Sequence, residues 1–289
     1  MFAIAGVTGH VGKIVAEELL RKGQKVRVLV RSADKGAPWT KQGAEAAVGS
    51  LDDVAFLTAA LKGAQAFFTL LPPNYQASDF FATQKATADA MAAAVKASGV
   101  PHVVQLSSIG ADRPDGTGPI KGLHYLENAL RATGATLSAL RAGSFQENVG
   151  MALAPARQMG IYPSFAASAD YPLPQIATRD IGVLAARLML ENPGKSEIID
   201  LVGPPYSARQ VAEKLGTALG KKLQLVEIPP AGAVDALMKA GFSRATSELF
   251  AEMYDAGNKG LLVPVSGRIE HGATTLDETV AQLVGNANA

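Results

Sequence analysis

The sequence predicts an α/β fold: a doubly wound parallel sheet with a smaller C-terminal α/β lobe. Three observations point there. Short apolar runs alternate with longer amphipathic stretches through the first half of the chain. That alternation implies β-α-β crossovers, and hence parallel strands with helices on both faces. A glycine-rich turn, Gly6-Val7-Thr8-Gly9-His10-Val11-Gly12, joins the first apolar run to the first amphipathic one. The 289 residues are 48% hydrophobic, enough to bury a sizeable core in one large domain with an appended lobe.

Taken in order, Phe2–Ala5 reads as a strand, Val11–Lys22 as a helix, and Lys25–Val30 and Ala44–Val48 as strands. Val54–Leu61 reads as a helix and Ala66–Leu71 as a strand stopped by Pro72-Pro73. Asp79–Ser98 is a long Ala-rich helix, with Ser78 or Asp79 placed to cap it. His102–Leu106 is a strand, Lys121–Thr133 a helix and Leu137–Leu140 a strand. From Met151 to Pro174 the pattern loosens, and loops with short helices are expected. Beyond it come a helix over Ile181–Glu191 opened by Asp180, a strand at Glu197–Val202, a helix over Ser207–Leu219 capped by Ser207, and a strand at Leu223–Ile228. Helices follow at Ala231–Ala240, Ala245–Ala256 and Leu276–Val284. With no long linker, 1–150 reads as the nucleotide-binding domain and 151–289 as a smaller substrate-binding lobe. That lobe is interleaved with the sheet edge and does not fold independently.

Composition removes several classes of function. The formal net charge is +1 with no Lys/Arg cluster, so no nucleic-acid partner is expected. The absence of Cys excludes disulfides, thiolate metal sites and Cys nucleophiles. His10, His102, His124 and His271 are scattered without metal-ligand spacing. No apolar run approaches the roughly 20 residues needed to cross a bilayer. The chain enters a buried-strand pattern at Phe2 with no basic leader, so a soluble cytoplasmic protein is expected.

The glycine turn carries the chemistry. Gly6 allows the sharp bend at the strand end, Gly9 lets backbone approach a pyrophosphate, and Gly12 lets the helix pack close. The helix N-terminus offers free N–H groups and a positive dipole end to phosphate. The spacing is G-x-x-G-x-x-G, and the strand before it and helix after it supply the context of a Rossmann-type dinucleotide site. The second strand ends Leu29-Val30-Arg31-Ser32, with Arg31 19 residues beyond Gly12. An acidic residue there would accept from ribose hydroxyls and repel a 2′-phosphate, whereas Arg pairs with that phosphate and stacks on adenine. Ser32 and Lys35 add a hydroxyl and a second cation. The expected cofactor is NADPH in preference to NADH.

Gly6–Gly12, Leu29-Val30-Arg31, Gly49-Ser50-Leu51-Asp52-Asp53, Leu71-Pro72-Pro73 and Arg141-Ala142-Gly143-Ser144-Phe145-Gln146-Glu147-Asn148 occur in this order. In this the chain resembles the NmrA-like branch of the atypical short-chain dehydrogenases, most clearly from Met1 to Val202. That branch includes quinone and triphenylmethane reductases, isoflavone-reductase relatives and redox-sensing regulators. The resemblance implies that Gly6, Thr8, Gly9, His10, Val11 and Gly12 hold the pyrophosphate, and that Arg31 and Ser32 meet the adenosine end. It places Ser50 and Leu51 beside the adenine, although relatives often carry Asp at position 50. Leu71 and Pro72 would line the ribose–pyrophosphate path. Gly143, Ser144 and Phe145 would lie beside the nicotinamide, with Phe145 walling the substrate pocket.

Catalytic residues are harder to read. Short-chain dehydrogenases pair Tyr-x-x-x-Lys, but Tyr125 is followed at the fourth position by Ala129, Tyr75 by Asp79 and Tyr254 by Asn258. Ordinary alcohol–ketone chemistry by that pair is therefore not expected. Some relatives use a Lys or His just before the fifth helix, where Lys121 and His124 stand. His124 reads equally as a proton donor or as a helix histidine bonded to a backbone carbonyl. Lys121 reads as a catalyst or a solvated first-turn cation, and Ser108 as a loop cap or a substrate contact. Phe67-Phe68 and Phe80-Phe81 are expected in the core, and Trp39 exposed in a loop near the adenine end. Two functions fit. One is an NADPH-dependent reductase of a small hydrophobic or aromatic acceptor, such as a quinone, which needs little acid help. The other is a nucleotide-sensing regulator without turnover. Either is compatible with a homodimer.

Overall fold

The computed structural model describes residues 1–191 and 193–286. The first half alternates as expected: β1 (Phe2–Ile4), α1 (His10–Arg21), β2 (Val26–Val30), α2 (Ala33–Thr40), β3 (Glu45–Val48), α3 (Val54–Leu61), β4 (Ala66–Thr69) and α4 (Phe80–Ser98). It continues with β5 (His102–Ser108), α5 (Ile120–Arg131), β6 (Thr136–Ala142) and β7 (Ser144–Phe145). The second half contains α6 (Leu153–Met159), β8 (Ile161–Ser164), β9 (Leu173–Ile176), α7 (Thr178–Glu191), β10 (Glu197–Val202), β11 (Pro205–Tyr206), α8 (Ala208–Leu219) and β12 (Gln224–Glu227). The last elements are α9 (Ala233–Lys239), α10 (Arg244–Asn258), β13 (Ile269–His271) and α11 (Leu276–Asn286).

Among the described residues, eight strands form one sheet in the order β13-β10-β6-β5-β4-β1-β2-β3. Every pairing in it is parallel. This is the doubly wound arrangement expected from the alternation, with the chain order reversing between β1 and β4. One face is covered by α1 and α7, whose packing is close enough that a Cβ at Gly182 would lie 2.6 Å from Ile14. The other face carries α3, α4 and α5 over Leu57, Leu61, Met91, Leu126 and Leu130, all essentially buried. β10, β13 and α7 come from the second half of the chain and complete this sheet and its cover. A smaller core gathers Val149, Ala156, Val211, Leu215, Leu276 and Val280 from the remaining elements.

Three expectations need correction. Trp39 is neither exposed nor in a loop: it is 6% exposed on α2, in the core that also holds Ala44. Gly36 on the same helix serves packing, since a Cβ on it would lie 2.7 Å from that of Ala46 in β3. Residues 151–174 are more regular than expected, because β8 pairs in parallel with β12. That partner is some sixty residues away and invisible to local periodicity. The helix α7 starts at Thr178 and is opened by Glu147, whose two carboxylate oxygens each accept from the Thr178 N–H at 3.0 Å. Asp180 instead accepts from the backbone and hydroxyl of Thr274.

A buried ion pair ties α5 to the middle of the sheet. Arg141 Nε and Nη2 donate to the two oxygens of Glu127 at 2.9 and 2.8 Å, and Ser107 Oγ donates to the same carboxylate at 2.6 Å. Glu127→Gln leaves the Arg141 charge buried without its counter-ion, and should cost about 3–5 kcal/mol. Urea unfolding that shows a loss below about 1 kcal/mol would contradict this account. A second test concerns His102, which is fully buried on β5 with Nε2 3.0 Å from Ser138 Oγ. Burial pushes its imidazole below the ordinary 6.5, and the Glu197 carboxylate pulls the other way. The unfolded chain then takes up a proton near pH 6.5 that the folded chain still refuses. Stability is therefore expected to fall as the pH drops below about 6.5. In His102→Gln that part of the slope should disappear, as read from urea midpoints at about pH 7.5 and about pH 5.5.

Candidate functional site

The glycine turn occupies the point where the strand order reverses, the place where open α/β sheets bind ligands. β1 ends at Ile4 and the chain bends at Gly6 with φ 71°, a left-handed conformation that favours glycine. The Gly9 amide closes the turn on the Gly6 carbonyl at 2.9 Å. A Cβ at Gly12 would lie 2.5 Å from the Gly6 carbonyl carbon and oxygen and 2.6 Å from Ala5 O. The first turn of α1 is thus pressed directly on the bend. Gly9 caps α1 with no side-chain bond, and no acidic residue stands in the first turn. The leading N–H groups lack intrahelical partners and sit at the positive end of the helix dipole. Thr8, Gly9 and His10 are exposed, while Val11 and Gly12 are buried. This donor set fits a diphosphate.

At the end of β2, Arg31 is exposed and has no hydrogen bond or ion pair among the described residues. Ser32 precedes α2, and its hydroxyl holds the Asp34 carboxyl below the usual carboxylate range. Lys35 Nζ lies 3.9 Å from Asp34. Between α1 and α2 a cavity of about 490 Å³ brings Thr8, Lys13 and Lys35 to one space, with Glu17 and Asp34 on its rim. After β3, Ser50 is exposed and accepts from the Asp52 N–H at 3.4 Å, whereas Leu51 is half-buried against the core. Asp52 is itself tied to α4 by the Thr87 hydroxyl. After β4, Leu71 is buried and Pro72 exposed. After β6, the Gly143 amide donates to Leu201 O at 2.9 Å, and Ser144 and Phe145 form β7 against β9. All five groups lie just past the C-terminal end of a strand, and so at one edge of the parallel sheet.

The catalytic candidates are placed differently. His124 Nδ1 is 2.8 Å from the Ala111 carbonyl, which can only accept, so this nitrogen carries the proton. Its Nε2 lies 2.9 Å from Asn128 Nδ2. Lys121 Nζ sits over the Phe81 ring, 4.6 Å from its centroid, at the edge of a surface hollow shared with Glu248 and Glu252. Ser108 Oγ donates to Ile109 O at 3.0 Å, into the loop that follows. Of the four phenylalanines expected in the core, Phe67, Phe68 and Phe80 are buried and Phe81 is half-buried. None of the six tyrosines has Lys at the fourth position after it.

One feature escaped the sequence reading. The helix α10 crosses the loops that leave β4 and β5. Its Phe250 and Tyr254 share a face; Tyr75, from the β4–α4 loop, meets Phe250 edge-on at 5.8 Å, and Phe165 stacks on Tyr254 at 4.5 Å and 4°. Asn258, one turn further, donates to Phe165 O and accepts from the Ala167 N–H. On another side, Gly118 in the β5–α5 loop is packed so closely under Leu249 O that no Cβ could fit. The spacing of Phe250, Tyr254 and Asn258 by four residues was the available signal.

The chain matches the NmrA-like family over residues 1–281. It is 29% identical over 270 residues to a (4-alkanoyl-5-oxo-2,5-dihydrofuran-3-yl)methyl phosphate reductase of Streptomyces griseus, covering 91% of this chain and 90% of that protein. It is 28% identical over 295 residues to quinone oxidoreductase 2 of Escherichia coli, covering 98% of each. The crystal structure of the NADPH-dependent quinone oxidoreductase of Escherichia coli complexed with NADPH superposes with a TM-score of 0.81 at 25% identity, over 98% of this chain and 99% of that one. Fold, strand-end loops and full-length similarity agree, and the chain belongs to the NmrA-like family.

Proposed function

We propose that this chain is an NADPH-dependent reductase of a quinone or a similar conjugated electrophile. The observation that carries the reading is the start of α1, with no acidic residue in its first turn and no side-chain cap, pressed on the Gly6 bend at the switch point of the sheet. The full-length similarity to two reductases supports it, and one of them is described as NADPH-dependent.

In this reading Gly6, Thr8, Gly9, His10, Val11 and Gly12 hold the diphosphate. Arg31, unpaired and exposed, meets the 2′-phosphate, with Ser32, Lys35 and Thr8 beside it. Ser50 and Leu51 border the adenine, Leu71 and Pro72 the ribose path, and Gly143, Ser144 and Phe145 the nicotinamide. The bound nicotinamide supplies a hydride. The chain's own task is to orient the acceptor and exclude water, which accounts for the missing Tyr–Lys pair. With both ring nitrogens of His124 engaged, no proton transfer is assigned to it, and Lys121 serves as a cation on Phe81. Among the described residues no helix is long and apolar enough to cross a membrane. A cytoplasmic setting, where reduced nicotinamide nucleotide is supplied, belongs to the same proposal.

Calorimetry is expected to show tighter binding of NADPH than of NADH. Arg31→Asp should lower the NADPH/NADH affinity ratio at least tenfold, about 1.4 kcal/mol for a lost charge-assisted pair; an unchanged ratio removes Arg31 from the 2′-phosphate site. Purified protein given NADPH and a quinone panel should show acceptor-dependent loss of the nicotinamide absorbance. Tight NADPH binding with no oxidation by any acceptor would favour a sensor without turnover.

A further inference from the structure

Three tyrosines from three separate segments gather under α10: Tyr75 in the β4–α4 loop, Tyr162 on β8 and Tyr254 on α10 itself. Their rings are fixed. Tyr254 stacks on Phe165, and Tyr75 is held edge-on by Phe242 at 5.0 Å and Phe250 at 5.8 Å. The Tyr162 ring rests on the smaller core. The backbone around them is tied down as well, with Gln76 donating to Gly241 O at 2.7 Å and Asn258 bridging to Phe165 and Ala167.

The hydroxyls, in contrast, are left open. Among the described residues none of these three phenol oxygens has a hydrogen-bond partner. Two other tyrosine hydroxyls are engaged: Tyr125 donates to Asp89 at 2.6 Å, and Tyr206 accepts from the Leu276 N–H at 3.0 Å, while Tyr171 is exposed at the surface. Tyr162 and Tyr254 are half-buried, and a tyrosine that buries its ring ordinarily finds a partner for its O–H; Tyr75 is 42% exposed. Three open hydroxyls on a rigid aromatic frame, at the edge of the sheet where β4 and β5 end, have the make-up of a small-molecule site: apolar walls with a few fixed polar groups.

We propose that Tyr75, Tyr162 and Tyr254 form the acceptor site, with the aromatic frame taking a planar conjugated ring and the hydroxyls donating to its carbonyl oxygens. This rests on the reductase reading above and names the part of the chain that reads the substrate. Burial pushes all three phenols up, Tyr162 to about 12. Tyr162 lies three residues before Phe165, which stacks on Tyr254, and Tyr75 meets Phe250 one turn before Tyr254, so the three rings line one side of α10. At neutral pH they are therefore donors, suited to an oxygen that gains negative charge as the ring is reduced. Tyr75 follows Leu71 by four residues, so the site adjoins the proposed nucleotide path.

The test uses nucleotide-free protein, with menadione as the quinone probe and naphthalene as a ring without oxygens. Binding is followed by calorimetry in wild type and in Tyr75→Phe, Tyr162→Phe and Tyr254→Phe, which keep every ring. Each substitution is expected to weaken menadione binding about three- to tenfold, the worth of one hydrogen bond, and to leave naphthalene and NADPH affinity unchanged. Tyr125→Phe should have no effect. Menadione binding that is absent in wild type, or equal in all three variants, overturns the proposal. Wild-type protein that binds menadione through these hydroxyls yet never oxidises NADPH would refute the reductase reading and leave the site standing.

Discussion

The structure depends first on a contact that allows no side chain: the start of α1 lying directly on the bend after β1. Gly12 touches the Gly6 carbonyl and Ala5 O at distances a Cβ could not survive, and Gly6 adopts a left-handed φ. That approach aims the N-terminus of α1 at the switch point, and it also seats the helix low enough for α7 to pack over it at Gly182. The same glycines therefore serve two ends. They shape the cradle proposed for phosphate, and they set the depth of the layer that covers one face of the sheet. A bulkier residue would disturb both, since local chemistry and global packing share one contact.

The fold was legible because its signals are local. Alternating apolar runs, the Asp79 and Ser207 caps and the glycine turn each lie within a few residues of the feature they specify. The bend and helix start proposed to hold the phosphates are local features of the same sort, since Gly6, Gly9 and Gly12 lie within seven residues. What escaped was long-range. β8 finds β12 across some sixty residues, and Glu147 opens α7 from thirty-one positions away. α2 was missed although Gly36 and Pro38 lie inside it, and the close approach of Ala46 in β3 accounts for the glycine. The tyrosines are the sharpest case. Tested only for a following lysine, they looked inert, and their meeting under α10 depends on three chain segments that no window contains.

Two kinds of polar group stand out in the molecule. Glu127 with Arg141 and Gln146 with Thr274 and Thr279 are saturated, and Asp200 takes the amides of Val265 and Ser266 on one carboxylate oxygen; all of them hold elements together. Arg31 at the strand edge and the hydroxyls beneath α10 are left open. The stretch from Arg141 to Asn148 belongs mainly to the first kind: Arg141, Gln146 and Glu147 each clasp a distant element, and Gly143 to Phe145 ride on that scaffold. A run on which a family resemblance rests can thus reflect structural joinery as much as chemistry.

The outermost strand beside β10 carries a final consequence. β13 is formed by Ile269–His271, far downstream of its neighbour, and pairs with it in parallel. On a ribosome, the flank of β10 stays bare until residues 269–271, well over sixty positions beyond Val202, have emerged. Nascent chains will then show unpaired amides along a largely apolar ribbon, open to capture by a second copy or by a chaperone. Synthesis speed through residues 203–268 thereby becomes a determinant of yield.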